Sequence, residues 1–565
     1  MKNTTLLALF IVSVFSLFYT PDSYSQLSSK ERLKYPLALD IPGKVYSDPG
    51  PVNTMPNPLE FFNINISQNF APQNEPSVRI SRKDTNRVVA AWRDFRYGSD
   101  PTANRRVGYS YSSNGGLTWS VSRLLDSTLL PGGLTRNSDP VVTTDTAGNF
   151  YIAVVAIQGL SGGNLTLAVY KSTNNGQTFP QAFICSQTGT EDKEWITTDL
   201  SEISPFLNTL YISWTSFSLG GIKVTKSTNA GVNWSTPSNV SDATGGVQGS
   251  DICISADGQV NVVWLGFSSE AEITYDRSIN GGDNFGADQI ITTGTFPFGL
   301  PNDVNTFPTI ATDNSFGPRG GWIYIAFADN RNGDCDVFLV KSTDGGTSWS
   351  SPLRINNDPV ANGKIQYWPT IAVNNQGNIA VLFMDSRNTA DNTIIEAYIA
   401  RSYDGGVTFT NELLSTEPSP TLIPGSNVRF GDYIDLDYAG KRLVPVWTDE
   451  RAGGFNQEIF TSEIDELLPV SGTNGNLPAE FSLQQNYPNP FNPNTRISFS
   501  LPRASELKIE IYSAIGTLIK TIASGSYPAG NHTMNFNAGA LSSGVYFYKL
   551  TAGEFSQTRS MILLK

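Results

Sequence analysis

A single histidine, His532, stands near the C-terminus of the 565 residues, and there is no other. The rest of the chain therefore cannot assemble a Ser-His-Asp triad, a Cys-His pair, an HExxH zinc site or a histidine general base. Any catalysis falls to carboxylates, tyrosine, lysine or a bound ion. Cysteine is almost as scarce. Cys185, Cys253 and Cys335 are an odd number on separate stretches, so they build neither a disulfide framework nor a CxxC zinc site. Small buried hydrophobes are their expected role. Charged residues make up only 16%, with a net charge of −13. No Lys/Arg cluster offers the phosphate neutralisation that nucleic acid requires, so nucleic acid is not an expected partner. After the N-terminus no apolar run approaches the length of a membrane span, and no transmembrane segment is expected in the mature protein.

What the chain has in quantity is turn and aromatic residues: 50 Gly, 33 Pro and 11% aromatics, a profile that suits an all-β protein. Its first residues have the layout of an export signal. Lys2 precedes an apolar run over 6–18, Pro21 and Asp22 close it, and Ser23 and Ser25 place cleavage before Gln26. Residues 1–25 are thus an expected signal peptide, followed by a Pro-rich segment over 26–60.

One eight-residue pattern recurs. "STDGGTSW" at 342–349 is matched by "SSNGGLTW" at 112, "STNNGQTF" at 172, "STNAGVNW" at 227, "SINGGDNF" at 278 and "SYDGGVTF" at 402. The copies lie roughly 50–65 residues apart, and each unit reads as four short strands in meander order, the pattern of a propeller blade. First strands begin near Pro76, Pro140, Trp195, Ile252, Pro308, Pro369 and Tyr433, which makes seven units. The seventh ends at "QEIFTSEI" (457–464) with neither the repeated turn nor a fourth strand. "FFNINISQN" (61–69) resembles the fourth strands of other units and precedes the first of them. The expectation is an all-β chain with a seven-bladed β-propeller over 61–465, its last blade closed by that N-terminal strand. Closure of this kind leaves no exposed strand edge.

The repeated octapeptide resembles the Asp-box, or BNR repeat, of sialidases and sialidase-like propellers. The Ser and Asp/Asn side chains can bond backbone groups of a tight turn, Gly supplies positive φ, and the closing Trp or Phe pins the hairpin. The resemblance implies that the turn joins third and fourth strands, away from the active-site face, and that its role is structural. Asn114, Asn174, Asn229 and Asn280 replace the usual Asp, a swap that turn capping tolerates.

A Pro/Gly/Asn linker over 466–480 leads to a different texture over 481–565, whose alternation is that of a small β-sandwich. Its opening "NYPNPFNPNT" and its ending "GVYFYKL" resemble the type A sorting domain of the type IX secretion system, an Ig-like β-sandwich. That resemblance implies the type IX machinery as a partner and delivery across the outer membrane, with the cargo released or attached to the cell surface. His532 falls inside this domain as an ordinary residue.

Two sets of residues are candidates for a site. Second strands of four units end in Asp94-Phe95-Arg96, Asp329-Asn330-Arg331, Asp385-Ser386-Arg387 and Asp449-Glu450-Arg451. These Asp/Arg pairs either grip an anionic ligand or staple loops and neighbouring blades. The starts of the innermost strands are irregular instead: Glu75, Asp139, Asp192-Lys193-Glu194-Trp195, Asp251, Phe307, Tyr367-Trp368 and Arg429-Phe430-Gly431-Asp432-Tyr433. Of these, Glu75, Asp139, Asp251 and Trp368 are the expected ligand-binding residues. Carboxylates beside flat aromatic faces suit a sugar, and two or three carboxylates would also hold a structural Ca2+. The run "DNRNGDCD" (329–336) has a faint calcium-loop look. Tyr433 stands in a place comparable to the sialidase nucleophile, with Asp432 and Arg429 beside it, so these three are the candidate catalytic residues. The Phe-Arg-Ile-Pro element of sialidases is absent, and "QNEPSV" (73–78) puts Asn74 where its arginine would be. The expected function is binding of a glycan, polysaccharide or surface protein outside the cell. The alternative is an exo-sialidase or another carboxylate-based glycoside hydrolase.

Overall fold

The structure, a computed structural model, describes residues 63–97, 105–159, 164–267, 271–294, 297, 300, 305–421, 430–451, 456–462, 464–465, 480–503, 505–527, 530–539, 541–553 and 555–564. The signal peptide, the 26–60 segment, Arg429 and all but the last residue of the expected linker lie outside them. The described residues divide into two units, one within Asn63–Ile464 and one within Asp465–Lys565.

The first unit consists of seven antiparallel sheets in which the strands follow one another in sequence order. The first strands are Gln73–Ile80, Leu134–Thr144, Glu191–Thr198, Val247–Ile254, Thr309–Thr312, Gln366–Val373 and Asp435–Ala439. Each touches the first strand of the next sheet, and Asp435–Ala439 touches Gln73–Ile80, so the order closes on itself. The second strands explain the packing. Val88–Asp94 (VVAAWRD) and Ile323–Asp329 (IYIAFAD) are buried along their whole length. Runs of β-branched, small and aromatic residues form strands that are covered on both faces. Apolar seams therefore lie between sheets: Val89 and Ala91 pack with Val142 and Ile152, and Tyr324 and Ala326 pack with Val381 and Phe383.

The seventh sheet takes its fourth strand from the chain's N-terminal side. Asn63–Asn65 pairs with Glu458–Ser462, Asn63 lying opposite Ser462. The Asn63 side chain also donates to the Leu414 carbonyl at 2.8 Å and accepts from the Thr416 amide at 2.7 Å, which ties this strand to sheet six. Across the joint, the Asp435 carboxylate takes the Val78 amide (3.0 Å) and Arg79 (2.7 Å), and Asp437 takes the Ile80 amide and Arg82. Desolvation offsets most of what such buried ion pairs gain. The seam of Val88, Ala90 and Trp92 against Val444, Val446 and Ile459 holds the joint, at about 1.5–3 kcal/mol per large side chain buried. The carboxylates fix its register.

All six repeated turns connect a third strand to a fourth and have one geometry. The Ser hydroxyl donates to the Asp/Asn carboxylate or amide oxygen and accepts the amide of the fifth residue, at 2.8 Å for both bonds in the Ser342 copy. Asp344 also accepts the Ser348 amide at 2.9 Å. Bonds from Ser348 and Ser342 hold its carboxyl well below the usual range. The Asn copies do the same work: Asn114 accepts the Thr118 amide at 3.0 Å. The turn is structural.

The second unit is built from two antiparallel sheets around one core. Ser482–Leu483, Asn494–Leu501 and Gly530–Asn537 form one; Leu518–Tyr527, Ser505–Ser513, Gly544–Ala552 and Phe555–Leu563 form the other. Ile497, Phe499 and Phe536 of the first sheet share their core with Ile509, Ile511, Tyr548 and Leu550 of the second. His532 sits in register opposite Phe499. In the first unit the three cysteines are unpaired, and burial pushes each thiol upward.

Two outcomes follow from this architecture. Ser342→Ala leaves the Gly346 amide without its acceptor and is expected to cost about 1–2 kcal/mol, read as a lower melting temperature. The second concerns pH. Burial pushes Glu450 up to about 8 and Glu458, bonded to the Ser67 hydroxyl and the Asn69 amide, up to about 7. Folded-state values above the unfolded ones mean that stability is fully present below the unfolded value and is lost as pH rises through the folded value. Denaturant midpoints are expected to fall from pH 5 to pH 8.5, and Glu450→Gln is expected to flatten that slope.

Candidate functional site

Five of the seven first strands share a backbone irregularity. Their pairing with the second strand slips between Asn74 and Ser77, Ser138 and Val141, Asp192 and Trp195, Gln248 and Asp251, and Tyr367 and Thr370. The bulged residue has positive φ: +53° at Glu75, +54° at Asp139, +54° at Lys193, +68° at Gly249 and +55° at Trp368. Gly431, ahead of the seventh first strand, also has positive φ, +110°. A left-handed non-glycine residue costs of the order of 1–3 kcal/mol and persists only where its surroundings impose it. Glycine has a separate reason at position 249, where a Cβ would run into the Phe307 ring at 1.9 Å. The backbone repeats while the side chains do not. This is how a site is placed on a repeating scaffold.

These strand starts converge. Lys193, Trp195, Asp251, Phe307, Trp368, Asp432 and Tyr433 are among the residues lining a cavity of about 40 Å3. Arg93, 1% exposed, lies in the same neighbourhood. It bonds the Asn74 amide oxygen at 2.7 Å and Glu75 at 3.1 Å, with Asp139 at 3.8 Å. Burial pushes Glu75 well up, against the pull of Arg93 and with Asp139 and Asp432 adding to the push. Burial also raises Glu194, whose two carboxylate oxygens accept no hydrogen bond from another described residue, and lifts Asp251 to about 7. Tyr433 donates to the Pro140 carbonyl at 3.2 Å. Burial, then Glu75, Asp139 and Glu194, hold its phenol in the neutral form. Trp368 stacks on Phe430 at 5.8 Å and donates its indole N–H to the Asn305 carbonyl.

Of the residues expected from sequence, Asp251, Trp368, Asp432 and Tyr433 line the cavity, and Glu75 and Asp139 act on Tyr433 from beside it. Arg429 lies outside the described residues. None of the eight Asp/Arg residues lines the cavity. Each arginine closes on its own aspartate: Arg96 on Asp94 at 2.7 Å, Arg331 on Asp329 at 2.8 Å, Arg387 on Asp385 at 2.7 Å and Arg451 on Asp449 at 2.6 Å. Three of the arginines also reach across a junction. Arg331 bonds Thr292 of the preceding sheet, Arg387 bonds Asn357, and Arg451 bonds Thr416. In the "DNRNGDCD" loop, Asp336 accepts from Asn332 and Arg354, and Asp334 accepts the Gly363 amide. Among the described residues no three His, Cys, Asp or Glu side chains are grouped as a metal ion would need.

Lys193, Glu194, Trp195 and Phe307 were among the strand starts read from the sequence but were not singled out as ligand-binding, and Arg93 was not named at all. Arg93 had a signal: it is the one charge in "VVAAWRD" ahead of the shared Asp, where other units have Ala328, Met384 and Thr448.

Residues 485–564 match the family model described as "Secretion system C-terminal sorting domain". This domain marks proteins secreted through the type IX system to the cell surface or extracellular space. No curated protein matches the chain. Among solved structures, the chain is similar to a protein of unknown function from Dyadobacter fermentans, at 14% identity over 72% of this chain and 98% of that one, TM-score 0.43. It is also similar to the leech intramolecular trans-sialidase, at 13% identity over 59% and 67%, TM-score 0.41. A third is the intramolecular trans-sialidase from Ruminococcus gnavus, at 14% identity over 71% and 96%, TM-score 0.36. Among the described residues no helix is long and apolar enough to cross a membrane.

Arg387→Ala leaves Asp385 buried without its partner and is expected to lower stability by roughly 2–4 kcal/mol. Thermal unfolding of the full chain measures this.

Proposed function

We propose that the first unit is a seven-bladed, sialidase-like propeller that works outside the cell by binding a glycan or surface polymer at its central cluster, without hydrolysing it. In this reading residues 1–25 are the export signal, 26–60 a Pro-rich lead segment, 466–480 a linker and 481–565 an Ig-like β-sandwich read by the type IX machinery. The closed order of sheets and the sorting-domain match support the architecture and the export route. The Asp/Arg pairs are blade staples rather than ligand contacts.

The observation that carries the non-hydrolytic reading is the commitment of Arg93. A sialidase of the resembled family grips its substrate carboxylate with arginines. Here the guanidinium at the centre is buried in bonds to Glu75 and Asn74. Tyr433, in the nucleophile's place, is held neutral and donates to a backbone carbonyl. The runner-up, an exo-sialidase, rests on the neighbourhood of Tyr433 and Glu75.

The test is release of free sialic acid from a sialylated glycoprotein by the full chain, beside Tyr433→Phe. The expected result is no release by either protein. Release by the parent that disappears in Tyr433→Phe would establish the enzyme and overturn the binding reading.

A further inference from the structure

The central cavity already contains a cation. The Lys193 ammonium lies 4.4 Å from the centroid of the Tyr433 ring and 4.9 Å from that of Phe307. Lys193 is 7% exposed, and among the described residues no hydrogen bond or ion pair of its ammonium is found. An ammonium largely withdrawn from water and without a protein acceptor is normally costly. Here two aromatic faces lie against it, and the carboxyl groups of Glu75 and Glu194 are near enough to feel its charge. Asp251 and Asp432 line the same cavity. The surroundings are thus aromatic and rich in carboxyl groups, a combination that meets an ammonium with ring faces and hydrogen-bond acceptors and suits it better than the carboxylate of an acidic sugar.

Size is compatible with this: about 40 Å3 accommodates an ammonium or methylammonium head. The ring of Trp195, only partly buried and edge-on to Tyr433 at 5.5 Å, offers an apolar face next to the cavity on which a pyranose could stack. Lys193 enters the cavity from one of the left-handed bulges, φ +54°, so its backbone is fixed while its four-carbon stem can swing aside.

We propose that the cavity recognises the primary ammonium group of an amino sugar with a free amine, and that the Lys193 side chain is its resident stand-in, displaced from the rings of Tyr433 and Phe307 when ligand binds. This inference rests on the glycan-binding reading and specifies its ligand. The lysine lowers affinity for single amines and favours ligands that present several, because each binding event first has to displace a tethered competitor.

The test titrates the full chain and Lys193→Met, by calorimetry and tryptophan fluorescence, with a glucosamine oligomer, its N-acetylated counterpart, a polygalacturonate oligomer and a lysine-rich peptide. The expected result is a gain of about tenfold or more in affinity for the free-amine oligomer on removing the lysine. Lys193→Arg, which keeps the cation, should show no gain. Adding Phe307→Leu to Lys193→Met should reverse it. Lys193→Gln runs in parallel in case the apolar variant does not fold. Equal binding of the N-acetylated oligomer would overturn the inference and leave the glycan-binding reading standing. Polygalacturonate binding that is lost in Lys193→Met would make Lys193 an anion ligand and overturn the inference too. Preference for the lysine-rich peptide over the sugar would overturn the amino-sugar assignment, and no gain with any amine would overturn the site itself.

Discussion

The structure depends most on the bulge near the start of its first strands. A strand that ran straight would alternate its side chains between the two flanking sheets and present none of them to the shared centre. The slip at Glu75, Asp139, Lys193, Gly249 and Trp368 re-aims one residue per strand. Four of the five are not glycine, so the strain is borne by the packing around them rather than relieved by composition. The ring supplies that packing: every first strand is held by its own second strand and by the first strands on either side. Position is thereby separated from identity, and one backbone device presents an acid, a base or an aromatic ring.

The rest of the first unit keeps that ring closed. Apolar seams between sheets provide most of the stabilisation, and buried polar groups decide registration. Ser77 shows the arrangement: its hydroxyl donates to Asp435 of the seventh sheet and accepts the Val142 amide of the second. One residue thus binds three sheets. The Asp/Arg pairs on the second strands act similarly further out, each filling its own loop and three of them touching a neighbour. Their repetition in four sheets fits a structural part, whereas the side chains at the centre do not repeat.

Much of the scaffold was legible in the sequence because it is written in local patterns. The octapeptide announces its turn through Ser342, Asp344 and Gly346, and those residues bond as their chemistry requires. "FFNINISQN" was recognisable as a spare strand, and Asn63–Asn65 within it does complete the seventh sheet. At the site, the acids and aromatics of the strand starts could be read individually, Glu75, Asp251, Trp368 and Tyr433 among them. Their relations could not. Positive φ at Lys193 or Trp368 has no compositional signature, since neither is glycine. The meeting of Lys193 with Phe307 and Tyr433 joins three separate sheets, and Arg93 looks like part of an apolar run until its partners Asn74 and Glu75 are seen.

The most direct test of this account is a crystal structure of the full chain soaked with a free-amine glucosamine oligomer. The account predicts density for the amine between the Phe307 and Tyr433 rings, with the Lys193 side chain withdrawn and Arg93 still bonded to Glu75. A ligand seated on the Asp/Arg loops, or an anionic group paired with Lys193 in place, would contradict it.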